Sequence, residues 1–392
     1  MKELSLYIHI PFCVRKCLYC DFLSFPVSGN TSKGPVMERL KSYANQLQKE
    51  IEFSADLYRE YQVLSVFLGG GTPSILPEKE VSRIMETIRK HYRISDDAEI
   101  TIEMNPETAS EDKLQEYITS GINRISIGLQ SADDEELARI GRIHDYETFL
   151  RAYELTHKTG FRNINIDLMA ALPGQSTASY ERTLRCVTAL APEHISAYSL
   201  ILEEGTPLHA LQGEYLFPTE DEDREMYELT GEYLASCGYH RYEISNYALD
   251  GCECRHNKVY WQRGNYVGFG LGASSMVENA RWTNPADAGE YRMYIEQKSD
   301  GMHRGDERAA SVHVLTPHEQ MEEYMFLGLR MMCGVSVRRF EDEFGQQMMT
   351  VYGEVIERMC RQGLLEMKED CLWLTGRGID VSNYVMAQFL FD

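Results

Sequence analysis

The chain has 392 residues, 43% of them hydrophobic, enough for two or three domains with packed cores. A formal net charge of −22 disfavours nucleic acid and anionic membrane surfaces as general partners, since both are polyanions. Ten cysteines without a secretory signal argue for a reducing compartment and metal use, and no apolar run approaches the roughly 20 residues that span a bilayer. The expectation is a cytoplasmic protein with no stable membrane insertion and no nucleic-acid partner.

In chain order, β-rich runs at 4–10, 62–68, 98–103, 123–129, 163–169 and 194–201 alternate with helical patterns at 38–58, 78–91, 111–120, 146–159 and 176–190. Six strand–helix repeats predict an α/β fold with a parallel sheet. Eight would close a full barrel, so six predict an open, partial (β/α)6 barrel. In barrels of this kind the chemistry sits at the C-terminal ends of the strands. Unusual residues fall there repeatedly. Cys13, Cys17 and Cys20 follow the first strand, and Gly69-Gly70-Gly71-Thr72-Pro73 follows the second. Glu103 and Asn105 end the third, Gln130 and Ser131 the fourth. Asp167 lies in the fifth, ahead of Leu172-Pro173-Gly174-Gln175. The glycines fit either a turn that needs positive φ or close backbone approach to a ligand. Glu103 and Asp167 are either satisfied core carboxylates or ligand anchors, since an unpaired carboxylate is expensive inside a sheet.

The spacing Cys13-x3-Cys17-x2-Cys20 can place three thiolates on three irons of a [4Fe–4S] cluster, leaving one iron open. By spacing alone, half of a zinc site fits equally well. The context, His9-Ile10-Pro11-Phe12-Cys13 through Cys20-Asp21-Phe22, resembles the signature of the radical S-adenosylmethionine (radical SAM) superfamily. More narrowly it resembles the branch of the oxygen-independent coproporphyrinogen III oxidases and their haem-chaperone relatives, the HemW family. The resemblance implies a [4Fe–4S] cluster on Cys13, Cys17 and Cys20, with SAM on the open iron. It implies SAM contacts at Tyr7, Tyr19, Gly70, Gly71, Thr72, Glu103, Gln130, Arg142 and Asp167. A guanidinium suits bidentate recognition of a carboxylate, which gives Arg142 the methionyl carboxylate as its expected partner.

Further on, Ser199-Leu200 and Glu203-Glu204-Gly205-Thr206-Pro207-Leu208 resemble the family's segment at the barrel's last strand. Residues 220–236 predict an acidic amphipathic helix, and 242–246 a strand returning to the barrel edge. Gly268, Gly270 and Gly272 lack the spacing of a phosphate loop and predict a tight bend near the active site. His256-Asn257-Lys258-Val259-Tyr260-Trp261 sets a potential axial ligand beside stacking aromatics, although a buried aromatic strand would look similar. The pattern H-N-x-x-Y-W resembles the haem-associated motif of the HemW family, which implies haem contacts at His256, Asn257, Tyr260 and Trp261. Cys252, Cys254 and His256 also form C-x-C-x-H, which reads as either a second metal site or a thiolate contact to haem.

Residues 279–314 are polar and predict an irregular connection. Beyond 316, helices at 319–332, 336–344 and 347–361, a hairpin at 364–374 and a helix at 381–390 predict a winged-helix-like α+β domain. Seven Lys or Arg against thirteen Asp or Glu in 317–392 argue against DNA binding and for a lid or partner surface. The expected division is 1–210 for the barrel with cluster and SAM, 211–315 for its extension with the haem motif, and 316–392 for the C-terminal domain.

Within the branch, the oxidases carry a fourth cysteine two residues after the third, where this chain has Phe22. Ala171 stands where the resemblance leads one to expect glycine, a departure of one methyl group. The favoured reading is a haem chaperone that passes haem to haem-requiring proteins. The alternative is an enzyme, an oxygen-independent coproporphyrinogen III oxidase acting on porphyrinogen. The sequence leaves a homodimer open and does not name the haem acceptor.

Overall fold

Alternation along the barrel strands decides what the sheet encloses. Leu4, Leu6, Ile8 and Ile10 are buried in the apolar core, while Ser5, Tyr7 and His9 take the other face. The same parity sets Ile125, Ile127 and Leu129 against Arg124, Ser126 and Gly128, and Ile164, Ile166 and Leu168 against Asn165 and Asp167. Side chains two apart share a face of a strand. The apolar faces therefore meet the helices, and the polar faces line the barrel's interior.

The computed structural model describes residues 1–27, 29, 31, 33–299 and 312–391. The six expected barrel strands form as Lys2–Ile10, Tyr61–Gly70, Ile94–Met104, Arg124–Gln130, Ile164–Ala170 and His194–Ser199, parallel and in sequence order. The intervening helices Pro35–Ser54, Glu78–His91, Glu111–Thr119, Tyr146–Thr159 and Thr177–Thr188 follow the expected pattern. Side-chain caps start several of them, such as Ser110, Asp145 and the Ser176–Ser179 capping box.

Three expectations need correction. The glycine-rich stretch contributes a strand, Tyr266–Phe269, which pairs in parallel with Lys2–Ile10 on its free edge. Gly268 lets the chain fold back closely on itself, because a Cβ there would meet the Ser274 carbonyl oxygen, at the start of the next strand, at 2.3 Å. Residues 242–246 are not one strand but the turn of a hairpin, His240–Glu243 and Asn246–Ala248, whose second strand pairs antiparallel with His194–Ser199. The Glu243 carboxylate accepts from the Ser245 amide and the Asn246 side chain, which fixes that turn. The polar stretch 279–314 contains a strand, Ala280–Thr283, and a helix, Ala288–Ser299; residues 300–311 lie outside those described.

A second apolar core, from Met321 to Phe389, holds the C-terminal region together. It comprises helices Pro317–Gly328, Val337–Phe344 and Met348–Arg361, and a three-stranded sheet with Leu365–Lys368 and Cys371–Leu374 as its hairpin. Two short helices, Gly376–Asp380 and Ser382–Ala387, close the chain. Among the described residues no helix is long and apolar enough to cross a membrane.

Glu50 ties the first helix to the glycine-rich turn. It is 2% exposed and accepts hydrogen bonds from the Gly270 amide (2.8 Å), Asn284 Nδ2 (2.7 Å) and Tyr291 Oη (2.6 Å). Burial outweighs these donors and pushes its carboxyl up to about 7. Unfolded, Glu50 loses its proton near its ordinary value while the folded chain still holds it. Stability therefore falls as pH rises from about 4.5 to about 7, by at most about 3 kcal/mol. Urea unfolding at pH 5 and pH 8 should show this loss, and Glu50→Gln should reduce it. Equal slopes in the two proteins would remove Glu50 as the cause.

Candidate functional site

At the C-terminal rim of the strands, Cys13, Cys17, Tyr19, Cys20, Gly70, Gly71, Thr72, Glu103, Gln130, Arg142 and Asp167 line one cleft. Tyr7 lies deeper, on a second cavity inside the barrel that also reaches Glu103, Asp167, His256, Asn257 and Tyr260. Trp261 lines neither cavity.

The cysteine loop is braced from two sides. The Leu18 amide donates to the Ile140 carbonyl at 3.0 Å, and the Leu18 carbonyl accepts from the Leu208 amide at 2.9 Å. Arg142 reaches over the loop, donating through Nη1 to Cys17 Sγ (3.5 Å) and through Nη2 to Asn105 Oδ1 (3.2 Å) and the Gly128 carbonyl. The Thr72 hydroxyl donates to Cys13 Sγ at 3.4 Å and accepts from Asn105 Nδ2 at 3.1 Å.

Gly70 and Gly71 let the second strand turn under this loop. Gly70 has φ 111°, and its amide donates to Glu103 Oε2 at 3.1 Å. A Cβ on Gly71 would meet the Phe12 carbonyl oxygen at 2.7 Å and the Ile10 carbonyl oxygen at 2.9 Å. Gln130 reaches the cleft from a left-handed backbone (φ 75°) next to an irregular register between Gly128 and Gln130. Such bulges re-aim side chains at barrel rims.

Burial, and then the neighbouring Asp167 carboxylate, push Glu103 up to about 8. Asp167 is also raised by burial, although Asn165 and Ser126 donate to it at 2.8 and 3.0 Å. Two enclosed carboxyl groups beside the cysteine loop suit a ligand that brings polar hydroxyl or ammonium groups.

Among the described residues, no three His, Cys, Asp or Glu side chains stand close enough to hold a single metal ion. A tetrahedral zinc site needs such convergence. An iron–sulfur cube does not, since each thiolate takes a different iron. The donor set thus fits the cluster. C-x-C-x-H does not converge either. Cys254 Sγ donates to Glu99 Oε1 at 3.4 Å, while the His256 ring nitrogens meet Ser65 Oγ and Tyr260 Oη, both at 2.9 Å.

The motif residues form a helix, Arg255–Trp261, rather than a strand. No side chain of its own caps it. Glu99, in the third barrel strand, instead accepts from the Arg255 amide at 2.9 Å and the His256 amide at 3.1 Å. His256 stacks on Phe67, with ring centroids 5.1 Å apart. Burial, with the Arg124 guanidinium second, pushes His256 down to about 3, so the ring is neutral.

Sequence reasoning missed Glu99, Arg124 and Phe67; each reads as an ordinary strand residue until the motif helix is docked on it. Ser131 and Gln175, expected at the rim, instead close a buried network on Glu136, with hydrogen bonds of 2.6 and 2.8 Å.

This fold, with three rim cysteines over two enclosed carboxylates, defines a radical SAM protein. A family model of the Radical SAM superfamily matches residues 7–187, and one of the HemN C-terminal domain matches 315–381. "Heme chaperone HemW" of Bacillus subtilis is 35% identical over 98% of this chain and 99% of that protein. The Escherichia coli protein of the same name is 38% identical over 71% of each chain. A solved coproporphyrinogen III oxidase (HemN) from Escherichia coli superposes with a TM-score of 0.84, covering 99% of this chain and 90% of that one at 23% identity, which shows the shared fold. The chain belongs to the HemW family of the radical SAM superfamily. Membership of the superfamily implies a [4Fe–4S] cluster and SAM.

Proposed function

We propose that this protein binds haem and delivers it to haem-requiring proteins, with a three-cysteine [4Fe–4S] cluster and SAM in the rim cleft. The observation that carries this reading is end-to-end similarity to proteins named as heme chaperones. Similarity to the oxidase is 23% over the same length. Phe22, which lines the cleft, supports it, because the oxidases carry a cysteine at that position.

Cys13, Cys17 and Cys20 would hold the cluster. Arg142, Gly70, Gly71, Thr72, Glu103, Gln130 and Asp167 would hold SAM, with Tyr19 beside the cysteines and Tyr7 beneath. In enzymes of this superfamily, SAM and a reduced cluster supply a 5′-deoxyadenosyl radical. The residues here do the positioning: Arg142 fixes the cysteine loop, the two glycines let the second strand turn tightly beneath it, and Glu103 and Asp167 offer polar partners screened from water. The cavity shared by Glu103, Asp167, His256 and Tyr260 gives cleft and haem motif a common wall, a route by which SAM would govern haem transfer.

The test is a paired assay on anaerobically reconstituted protein. Haem titration followed by absorbance should saturate at one site. Incubation with reductant, SAM and coproporphyrinogen III should yield no protoporphyrinogen. Porphyrinogen turnover without specific haem uptake would reverse the assignment in favour of the oxidase.

A further inference from the structure

The fourth barrel strand ends in a bulge, and two side chains from residues 141–144 hold it. The register steps from Gly128, opposite Asp167, directly to Gln130, opposite Leu168, so Leu129 is left out of the ladder. The extra residue of a bulge has no ladder partner. Leu129 is fully buried, and a buried carbonyl needs a donor from elsewhere. His144 supplies it, with Nε2 3.2 Å from the Leu129 carbonyl oxygen. A carbonyl only accepts, so Nε2 carries the hydrogen. One residue earlier, the Gly128 carbonyl accepts from Arg142 Nη2. Two consecutive carbonyls of the bulge are thus gripped by two side chains that stand two apart in sequence.

We propose that His144 is a positioning residue for SAM: by holding the bulge it aims Gln130 into the rim cleft, and through Glu107 it keeps Arg142 in place over the cysteine loop. This rests on the reading above that Gln130 and Arg142 contact SAM, and it names what sets both in position.

Three observations carry the proposal. Gln130 stands at φ 75°, a left-handed conformation that a residue other than glycine keeps only where its surroundings impose it. The grip on the two preceding carbonyls is that imposition. His144 is 5% exposed and lines neither cavity, so its ring is out of a ligand's reach and acts through the groups it holds. Glu107 joins the two arms of the grip. Its Oε2 lies 3.7 Å from His144 Nδ1. Burial raises its carboxyl, but His144 and then Arg142 outweigh burial and hold it below its ordinary value. The carboxylate kept in this way is the counter-charge of a buried guanidinium whose own hydrogen bonds go to Cys17, Asn105 and the Gly128 carbonyl.

The test follows SAM binding to anaerobically reconstituted protein by the change SAM makes in the electron paramagnetic resonance of the reduced cluster. His144→Phe keeps a ring and removes both nitrogens. It should retain the parent's iron content and bind SAM at least about tenfold more weakly. His144→Gln returns an N–H donor to the Leu129 carbonyl and should recover most of that loss. In the iron-free chains, amides of residues 128–131 should exchange with deuterium faster in His144→Phe than in the parent or in His144→Gln. SAM affinity unchanged in His144→Phe, or not recovered in His144→Gln, overturns the positioning role and leaves the SAM site standing. Iron lost together with SAM overturns it too, because the histidine would then hold up the loop instead of aiming Gln130. If the parent carries its full iron and gives no response to SAM, the SAM reading itself fails and the positioning role falls with it. Should His144→Phe not fold, His144→Asn, whose amide reaches only as far as Nδ1 did, is held to the same criteria.

Discussion

Cys17→Ser protein, reconstituted anaerobically with iron and sulfide, should drop from about four irons per chain to nearly none and lose its brown colour. The reason is local. Cys17 lies on a loop braced by backbone hydrogen bonds through Leu18, not through its own sulfur. Its Sγ accepts from Arg142 Nη1, and a serine hydroxyl can accept that bond in its place. Arg142 also keeps its bonds to Asn105 and the Gly128 carbonyl, so the loop's main brace survives. Unfolding of the iron-free proteins should therefore differ by less than about 1 kcal/mol. Cys237→Ser, on an exposed cysteine remote from the cleft, should keep its full iron content. Iron retained by Cys17→Ser but lost from Cys254→Ser would move the metal to C-x-C-x-H and overturn the assignment to the rim.

The barrel was legible because its strands and helices write two different periods, and because polar residues gather where strands end. Glu103, Gln130 and Asp167 could be picked out on that ground, and the resemblance added Arg142, whose contacts to Cys17 and Gly128 bring it into the cleft. What stayed hidden depends on partners distant in sequence. Tyr266–Phe269 is four residues long and contains a glycine, too short for a period to show. It becomes a strand because the first barrel strand offers a free edge. The motif's six residues carry histidine and aromatics that suit strand and helix alike. They become a helix because a carboxylate 156 residues earlier in the chain accepts the first free amide. Ser131 and Gln175 misled for the opposite reason: polar residues next to a rim can turn away from it to satisfy a buried glutamate.

Glu99→Ala should release that helix. The first amides of a helix lack internal acceptors, and here the Glu99 carboxylate, 7% exposed, serves two of them at once. A negative charge at a helix N-terminus adds a favourable interaction with the helix dipole. Removal leaves two shielded N–H groups unpaired, at about 1–3 kcal/mol each. It also strips a neighbouring carboxylate from Arg124, which is 2% exposed and whose Nε has no hydrogen-bond partner among the described residues. The loss, about 3 kcal/mol or more, should appear locally. Amides of residues 255–261 should exchange with deuterium roughly 100-fold faster, while those of the first barrel strand keep their protection. Glu99→Gln, which retains one carbonyl acceptor, should fall between. The consequence reaches haem in a defined way. If the folded helix holds haem, loosening it displaces Trp261 and weakens binding. If His256 must swing out to reach iron, the same loosening exposes it and strengthens binding. Exchange as slow in Glu99→Ala as in the parent would mean that the packing of His256 between Phe67 and Tyr260 holds the helix without the carboxylate. The capping role would then be wrong, whatever the effect on haem.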